Sequence, residues 1–182
     1  LDAATYGDAT AGVTINLGLT TAQNTGGAGS DTLTGVENLV GSAYADALRG
    51  TFAANALNGG AGADVITGAG GADTLTGGLG ADRFVYAATT DSAVSAQDLI
   101  RDFASGDLID LSAIDANTAT TGTNEAFSAT IVSSFTHVAG QLMFTSSGGV
   151  GVLSGDVNGD GTADFSIRLT GVASLSAASL VR

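Results

Sequence analysis

Neither cysteine nor proline occurs in this chain of 182 residues. Without thiols, no disulfide framework and no zinc–thiolate site can staple the fold. Lysine is missing too: 5 arginines face 16 Asp and 2 Glu, for a net charge of −13, which argues against nucleic acid as a partner. The only methionine is Met143, the start at Leu1 has no basic-then-apolar leader, and no apolar run nears the ~18 residues of a membrane-spanning helix. The chain is expected to be a C-terminal piece of a longer protein, with no membrane-spanning segment. H-E-x-x-H and G-x-S-x-G are absent, and the lone His137 reads as part of a strand between apolar residues. Neither a zinc hydrolase site nor a Ser-His-Asp triad can then be assembled, so the chain is expected to be non-catalytic.

What is abundant is glycine, 28 residues of it, together with a positive mean hydropathy of +0.32, and the pair argues against disorder. The glycines are in phase with the aspartates. Gly59-Gly60-Ala61-Gly62-Ala63-Asp64-Val65-Ile66-Thr67 is followed by Gly68-Ala69-Gly70-Gly71-Ala72-Asp73-Thr74-Leu75-Thr76 and by Gly77-Gly78-Leu79-Gly80-Ala81-Asp82-Arg83-Phe84-Val85. Glycine-rich hexapeptides permit backbone conformations closed to residues with a Cβ, so carbonyls can turn inward on a cation. Asp in sixth place adds a carboxylate, and carbonyl plus carboxylate oxygen is what calcium selects. The last three residues of each repeat have the character of a short strand with its middle side chain, Ile66, Leu75 or Phe84, turned inward.

The pattern G-G-x-G-x-D-x-U-x, with U a large apolar residue, resembles the calcium-binding nonapeptide repeat of RTX domains, which form parallel β-helices with two repeats, about 18 residues, to a coil. Repeats two apart then stack. Carboxylates roughly 5 Å apart repel by about 3 kcal/mol at an effective dielectric near 20, so the roll should not close without cations. Gly26-Gly27-Ala28-Gly29-Ser30-Asp31-Thr32-Leu33-Thr34 is a complete repeat, but the next turn, at Gly41, comes three residues early. The repeats beginning at Gly41 and Gly50 keep the sixth-position Asp46 and Asn55 and the inward Leu48 and Leu57 while losing the other glycines. They are expected to build coils and bind metal less well. The phase puts Asp31, Asp46, Asp64 and Asp82 on one side of the roll, and Asn55, Asp73 and Asp91 on the other. Val13, Ile15 and Leu17 alternate with polar residues and read as a first rung.

A second resemblance begins at Asp98. Asp98-Leu99-Ile100-Arg101-Asp102-Phe103-Ala104-Ser105-Gly106-Asp107-Leu108-Ile109-Asp110-Leu111-Ser112 looks like the segment after the calcium roll in the C-terminal domain of serralysin-type metalloproteases and other type I-secreted bacterial proteins. The stretches 135–142, 156–165 and 175–181 are similar to the same domain. The resemblance implies that Asp91 and Asp98 help hold calcium beyond the last repeat. It also implies that the protein is secreted through type I machinery and folds on extracellular calcium.

The expected fold is all-β. Residues 1–25 lead into a parallel β-roll over 26–97, and 98–182 form an antiparallel β-rich cap carrying a type I secretion signal. The expected ligands of about four or five calcium ions are Asp31, Asp46, Asp64, Asp73, Asp82, Asp91 and Asp98, with Gly59, Ala61, Gly62, Gly68, Gly70, Gly77 and Leu79 from the turns. Asp102, Asp107 and Asp110 read as solvated turn and edge residues. Asp156-Val157-Asn158-Gly159-Asp160-Gly161 opens like an EF-hand loop, but Ile167 stands where the bidentate Glu is needed, so a hairpin turning at Asn158-Gly159 is expected. The alternatives are an S-layer, adhesin or filament subunit that assembles through calcium-stabilised β-structure and its exposed strand edges, and a fragment of a secreted protease, lipase or sugar-modifying enzyme whose catalytic domain lies outside this chain.

Overall fold

In a computed structural model that describes residues 1–182, the chain winds between two parallel sheets. β1 (Asp2–Thr5) starts the first sheet and β2 (Thr14–Asn16) the second. β3 (Gln23–Gly26) and β4 (Gly29–Asp31) then leave the roll as a separate antiparallel hairpin. Winding resumes through β5 (Val36–Val40), β6 (Ala47–Arg49), β7 (Ala56–Ala61), β8 (Val65–Thr67), β9 (Thr74–Leu79), β10 (Arg83–Val85), β11 (Leu99–Ile100) and β12 (Leu108–Asp110), odd strands in the first sheet and even strands in the second. β13 (Ile131–Val132), β14 (Gln141–Ser147), β15 (Val150–Asp156) and β16 (Phe165–Thr170) extend the first sheet past β11, and β17 (Leu180–Val181) ends the second beside β12.

The strands of the winding are short because each turns one large apolar side chain inward. Leu39, Leu57, Leu75, Ile100 and Leu169 stack in the first sheet, and Ile15, Leu48, Ile66, Phe84, Ile109 and Leu180 in the second, all buried. Each contributes on the order of 1.5–3 kcal/mol of burial. The first step in the second sheet, from Ile15 to Leu48, carries the β3–β4 hairpin and is longer. From Leu39 and Leu48 the stacks repeat every 18 residues up to Leu75 and Phe84, and then step by 25 to Ile100 and Ile109. An insertion around Thr89–Ser92, folded as a short 3-10 helix, makes the difference.

Two expected boundaries therefore shift. The roll begins at residue 2 and not at 26, and the division at 97/98 runs through both sheets, since β9 pairs with β11 and β10 with β12. The complete repeat at 26–34 is not a coil. Its 15-residue distance to Gly41 is too short for an 18-residue circuit, and it folds as the β3–β4 hairpin while β5 takes the rung above β1.

The cap is the antiparallel meander β14–β15–β16. β14 and β15 join at Gly148-Gly149, both with positive φ, as a two-residue hairpin requires. β15 and β16 form the expected hairpin, with a longer connection than Asn158-Gly159 alone: Asp156 and Asp164 organise residues 157–164 by accepting backbone N–H groups within the loop. His137 lies exposed in a loop at φ +60, not in a strand. Phe127 packs edge-on against Phe165 at 5.7 Å, and one apolar cluster runs from Val13 through the roll into the cap.

Candidate metal centre

The turns 59–64, 68–73 and 77–82 share one backbone path, with positive φ at the second and fourth positions: Gly60 and Gly62, Ala69 and Gly71, Gly78 and Gly80. At each first position the closing carboxylate folds back so closely that a Cβ would collide with it: Asp64 over Gly59, Asp73 over Gly68, Asp82 over Gly77. A Cβ on Gly59 would also come within 2.6 Å of the Gly77 carbonyl oxygen, one coil away. At Gly59 carboxylate and stacked carbonyl oxygens thus converge where only glycine leaves room.

One oxygen of each carboxylate is used to join coils. Asp46 N–H donates to Asp64 Oδ1 at 2.8 Å, Asn55 N–H to Asp73 Oδ1 at 2.8 Å, and Asp64 N–H to Asp82 Oδ1 at 3.0 Å. Asp73 N–H donates to Asp98 Oδ1 at 2.8 Å, across the longer step. The other oxygen, Oδ2 of Asp64, Asp73, Asp82 and Asp98, is buried without any hydrogen-bond partner. A buried polar atom left unpaired costs on the order of 1–3 kcal/mol, and more when charged. Burial pushes the Asp64 carboxyl up to about 6, with the Asp46 and Asp82 charges adding to it. Asp73 rises to about 7 through burial and then Asp91, and Asp98 to about 8 through burial, then Asp73 and Asp91. Asp82 is raised for the same reasons, with Asp107 and Asp102 as its neighbours. No three acidic or imidazole side chains converge into a side-chain metal site anywhere in the chain. A cation fitting these orphaned oxygens must therefore complete its shell with carbonyls, as hard oxygen-seeking calcium does.

The expected ligands separate into groups. Asp64, Asp73 and Asp82 close turns that contain Gly59, Ala61, Gly62, Gly68, Gly70, Gly77 and Leu79, and all keep a free oxygen. The Leu79 carbonyl also accepts the Gly62 N–H at 2.8 Å. Asp98 stands in the phase that 18-residue counting assigns to Asp91, because Leu99 is in register with Thr74. Asp91 caps the inserted helix instead, accepting Ala87 N–H at 2.7 Å and Ala88 N–H at 3.1 Å. Its charge still bears on Asp73 and Asp98. The Tyr86 hydroxyl is buried beside the same carboxylates without hydrogen-bond geometry to any of them, and burial with those charges keeps it protonated. Asp31 is the clear correction: the hairpin carries it out of the stack, where it accepts Tyr6 Oη–H at 3.1 Å and Thr25 Oγ1–H at 3.2 Å.

Two repeats escaped the nonapeptide count. Residues 93–101 and 102–110 occupy one further coil, with Asp98 and Asp107 in sixth place and Ile100 and Ile109 inward. The signal was present in Asp98-Leu99-Ile100 and Asp107-Leu108-Ile109, nine residues apart. Asp107 is accordingly buried and not solvated; its Oδ1 accepts Asp82 N–H at 3.0 Å and its Oδ2 Ala104 N–H at 2.8 Å. Asp102 accepts the N–H groups of Gly77 and Gly78, and Asp110 pairs with Arg83 at 3.1 Å.

Compared with known proteins, residues 3–181 match the sequence model of the peptidase M10 serralysin C-terminal family. Metallopeptidase AprA of Pseudomonas marginalis is 39% identical over 96 residues, which are 51% of this chain and 18% of that protein. The chain thus matches less than a fifth of that relative's length. Among solved structures, the AlgE6R2 subunit of the Azotobacter vinelandii mannuronan C5-epimerase is similar with a TM-score of 0.51 and 28% identity, covering 77% of this chain and 89% of that one.

Proposed function

The chain belongs to the peptidase M10 serralysin C-terminal family, an RTX calcium-binding β-roll of secreted bacterial proteins, and from that premise we propose that it is the non-catalytic part of a larger exported protein, folded by extracellular calcium. The observation that carries the reading is the set of four buried, unpartnered Oδ2 atoms, on Asp64, Asp73, Asp82 and Asp98. These residues would hold calcium, with Asp91 beside Asp98 and carbonyls of the turns 59–64, 68–73 and 77–82 completing the shell. The bound ion supplies positive charge between coils whose carboxylates otherwise repel.

Extracellular modules bind calcium with dissociation constants near 10⁻⁴–10⁻³ M, so about 2 mM calcium adds on the order of 1 kcal/mol per site. Some four sites contribute ~4 kcal/mol, close to the whole stability of a small domain. The chain would cross the envelope unfolded where calcium is scarce, with a type I signal inside 98–182, and wind up outside. Both relatives named above are enzymes, which supports a catalytic portion elsewhere in the parent protein. Circular dichroism during calcium titration of the chelated protein tests the switch. A cooperative gain of β signal at submillimolar to millimolar calcium is expected; an identical spectrum throughout would overturn it.

A further inference from the structure

The turns 41–46 and 50–55 have the same length and stacking as the three glycine-rich turns, yet they follow a different backbone path. No residue from 42 to 45 or from 51 to 54 has positive φ. The peptide after the first glycine is consequently turned over. Ser42 N–H donates to Asp46 Oδ2, and Thr51 N–H donates to Asn55 Oδ1 at 2.7 Å. Where the glycine-rich turns leave an oxygen bare, these turns aim a hydrogen at it.

The remaining valences are filled in the same manner. Asp46 Oδ1 accepts Ser42 Oγ–H and Val13 N–H, both at 2.7 Å, so neither carboxylate oxygen is orphaned. Asn55 Oδ1 also accepts Thr51 Oγ1–H at 3.1 Å, and Asn55 Nδ2 donates to the Glu37 carbonyl one coil below at 3.1 Å. That amide spans two coils with a positive hydrogen. A carboxylate in its place would have no proton to give, and its charge would meet a carbonyl oxygen.

We propose that Ser42, Thr51 and Asn55 stand in for metal, so that the turns 41–46 and 50–55 close without calcium and the ion sites begin at the turn 59–64. Asp46, expected from its phase to be a ligand, is then a structural hydrogen-bond acceptor. The coils up to β7 form a metal-independent start on which the calcium-dependent coils assemble. The inference rests on the calcium reading given above and adds which turns take the ion.

Calcium stoichiometry by native mass spectrometry separates the two claims. The variant Asp46→Asn should bind as many ions as the unaltered chain, whereas Asp64→Asn should lose one. If Asp46→Asn also loses an ion, the stand-in assignment fails; if Asp64→Asn keeps every ion, the calcium reading of the glycine-rich turns fails. Should Asp46→Asn not fold, amide exchange of the unaltered protein in chelator decides. β5 and β6 should exchange at least about tenfold more slowly than β9 and β10, as expected when one part stays closed while another opens. Equal exchange, or the reverse order, would overturn the metal-independent start.

Discussion

At the scale of single residues, the glycine-rich turns depend on backbone angles that a side chain resists. Ala69 adopts φ +69 in the second position of its turn, so that conformation is accessible to alanine at a strain of about 1–2 kcal/mol. Gly60, at φ +103, carries a second constraint, since a Cβ there would run into the Ser42 carbonyl of the coil below. Gly60→Ala is therefore expected to cost at least ~2 kcal/mol, strain and collision together. Thermal unfolding in saturating calcium measures this; a loss under about 1 kcal/mol would show that the coil spacing gives way. The carboxyl groups make a second prediction. Asp64, Asp73 and Asp98 have folded values of about 6, 7 and 8 in the metal-free protein, above the unfolded value near 3.9. Protonation thus favours the folded state: the stabilisation is complete below about pH 4 and is lost as pH rises through 6–8. In chelator, urea unfolding should show a more stable protein at pH 5 than at pH 8, and the opposite order would contradict the burial of these oxygens.

At the scale of elements, the β3–β4 hairpin shows a consensus repeat diverted to another use. Gln23 lies against the outer edge of β2 and behaves like one more peptide unit: Asn16 N–H donates to Gln23 Oε1 at 2.8 Å, and Gln23 Nε2 donates to the Asn16 carbonyl at 3.1 Å. β2 is the terminal strand of its sheet, and an open strand edge invites pairing with another chain. Gln23→Ala should cost about 1–2 kcal/mol through the two lost hydrogen bonds. It should also raise self-association in sedimentation experiments. A variant that stays monomeric at unchanged stability would show that the rest of the hairpin guards the edge unaided.

At the scale of the whole molecule, roll and cap share one core. The apolar cluster contains Leu75, Phe84 and Ile109 of the roll and Leu142, Leu153 and Phe165 of the cap without interruption. Ser92 ties them together, accepting Asp98 N–H at 2.9 Å and donating to the Ser166 carbonyl at 2.6 Å. Asp98, the candidate ligand on the last coil, is thus positioned by the cap. Removing the cap strands β13 to β17 is expected to weaken calcium binding at Asp73 and Asp98 more than at Asp64, which lies on the opposite side of the roll. Terbium luminescence of the shortened protein, with Asp64→Asn and Asp98→Asn variants to assign the signals, would check the order. Equal weakening of both sides would mean that the cap acts through overall stability alone.

The sequence by itself determined the nine-residue phase, the pairing of two repeats to a coil, the inward residues from Leu48 to Phe84, and the oxygen chemistry that selects calcium. The phase, the inward residues and the oxygen chemistry follow from residue type and spacing within a strictly periodic stretch, and the two-repeat coil from the resemblance to RTX repeats. Only the tertiary structure decided which carboxylate stands above Asp73, because residues inserted around Thr89–Ser92 move the register to Asp98, and counting along the chain does not see a loop fold away. It also decided that Asp31 leaves the stack. Above all, it separated Asp46, with both oxygens hydrogen-bonded, from Asp64, Asp73 and Asp82, each with one left bare. That distinction depends on which way a peptide plane faces. Ala69 takes the path of the glycines and Ser42 does not, so the identity of the second residue does not settle it. The fourth position differs as well: Gly62, Gly71 and Gly80 stand there at positive φ, Tyr44 and Ala53 in the other two turns.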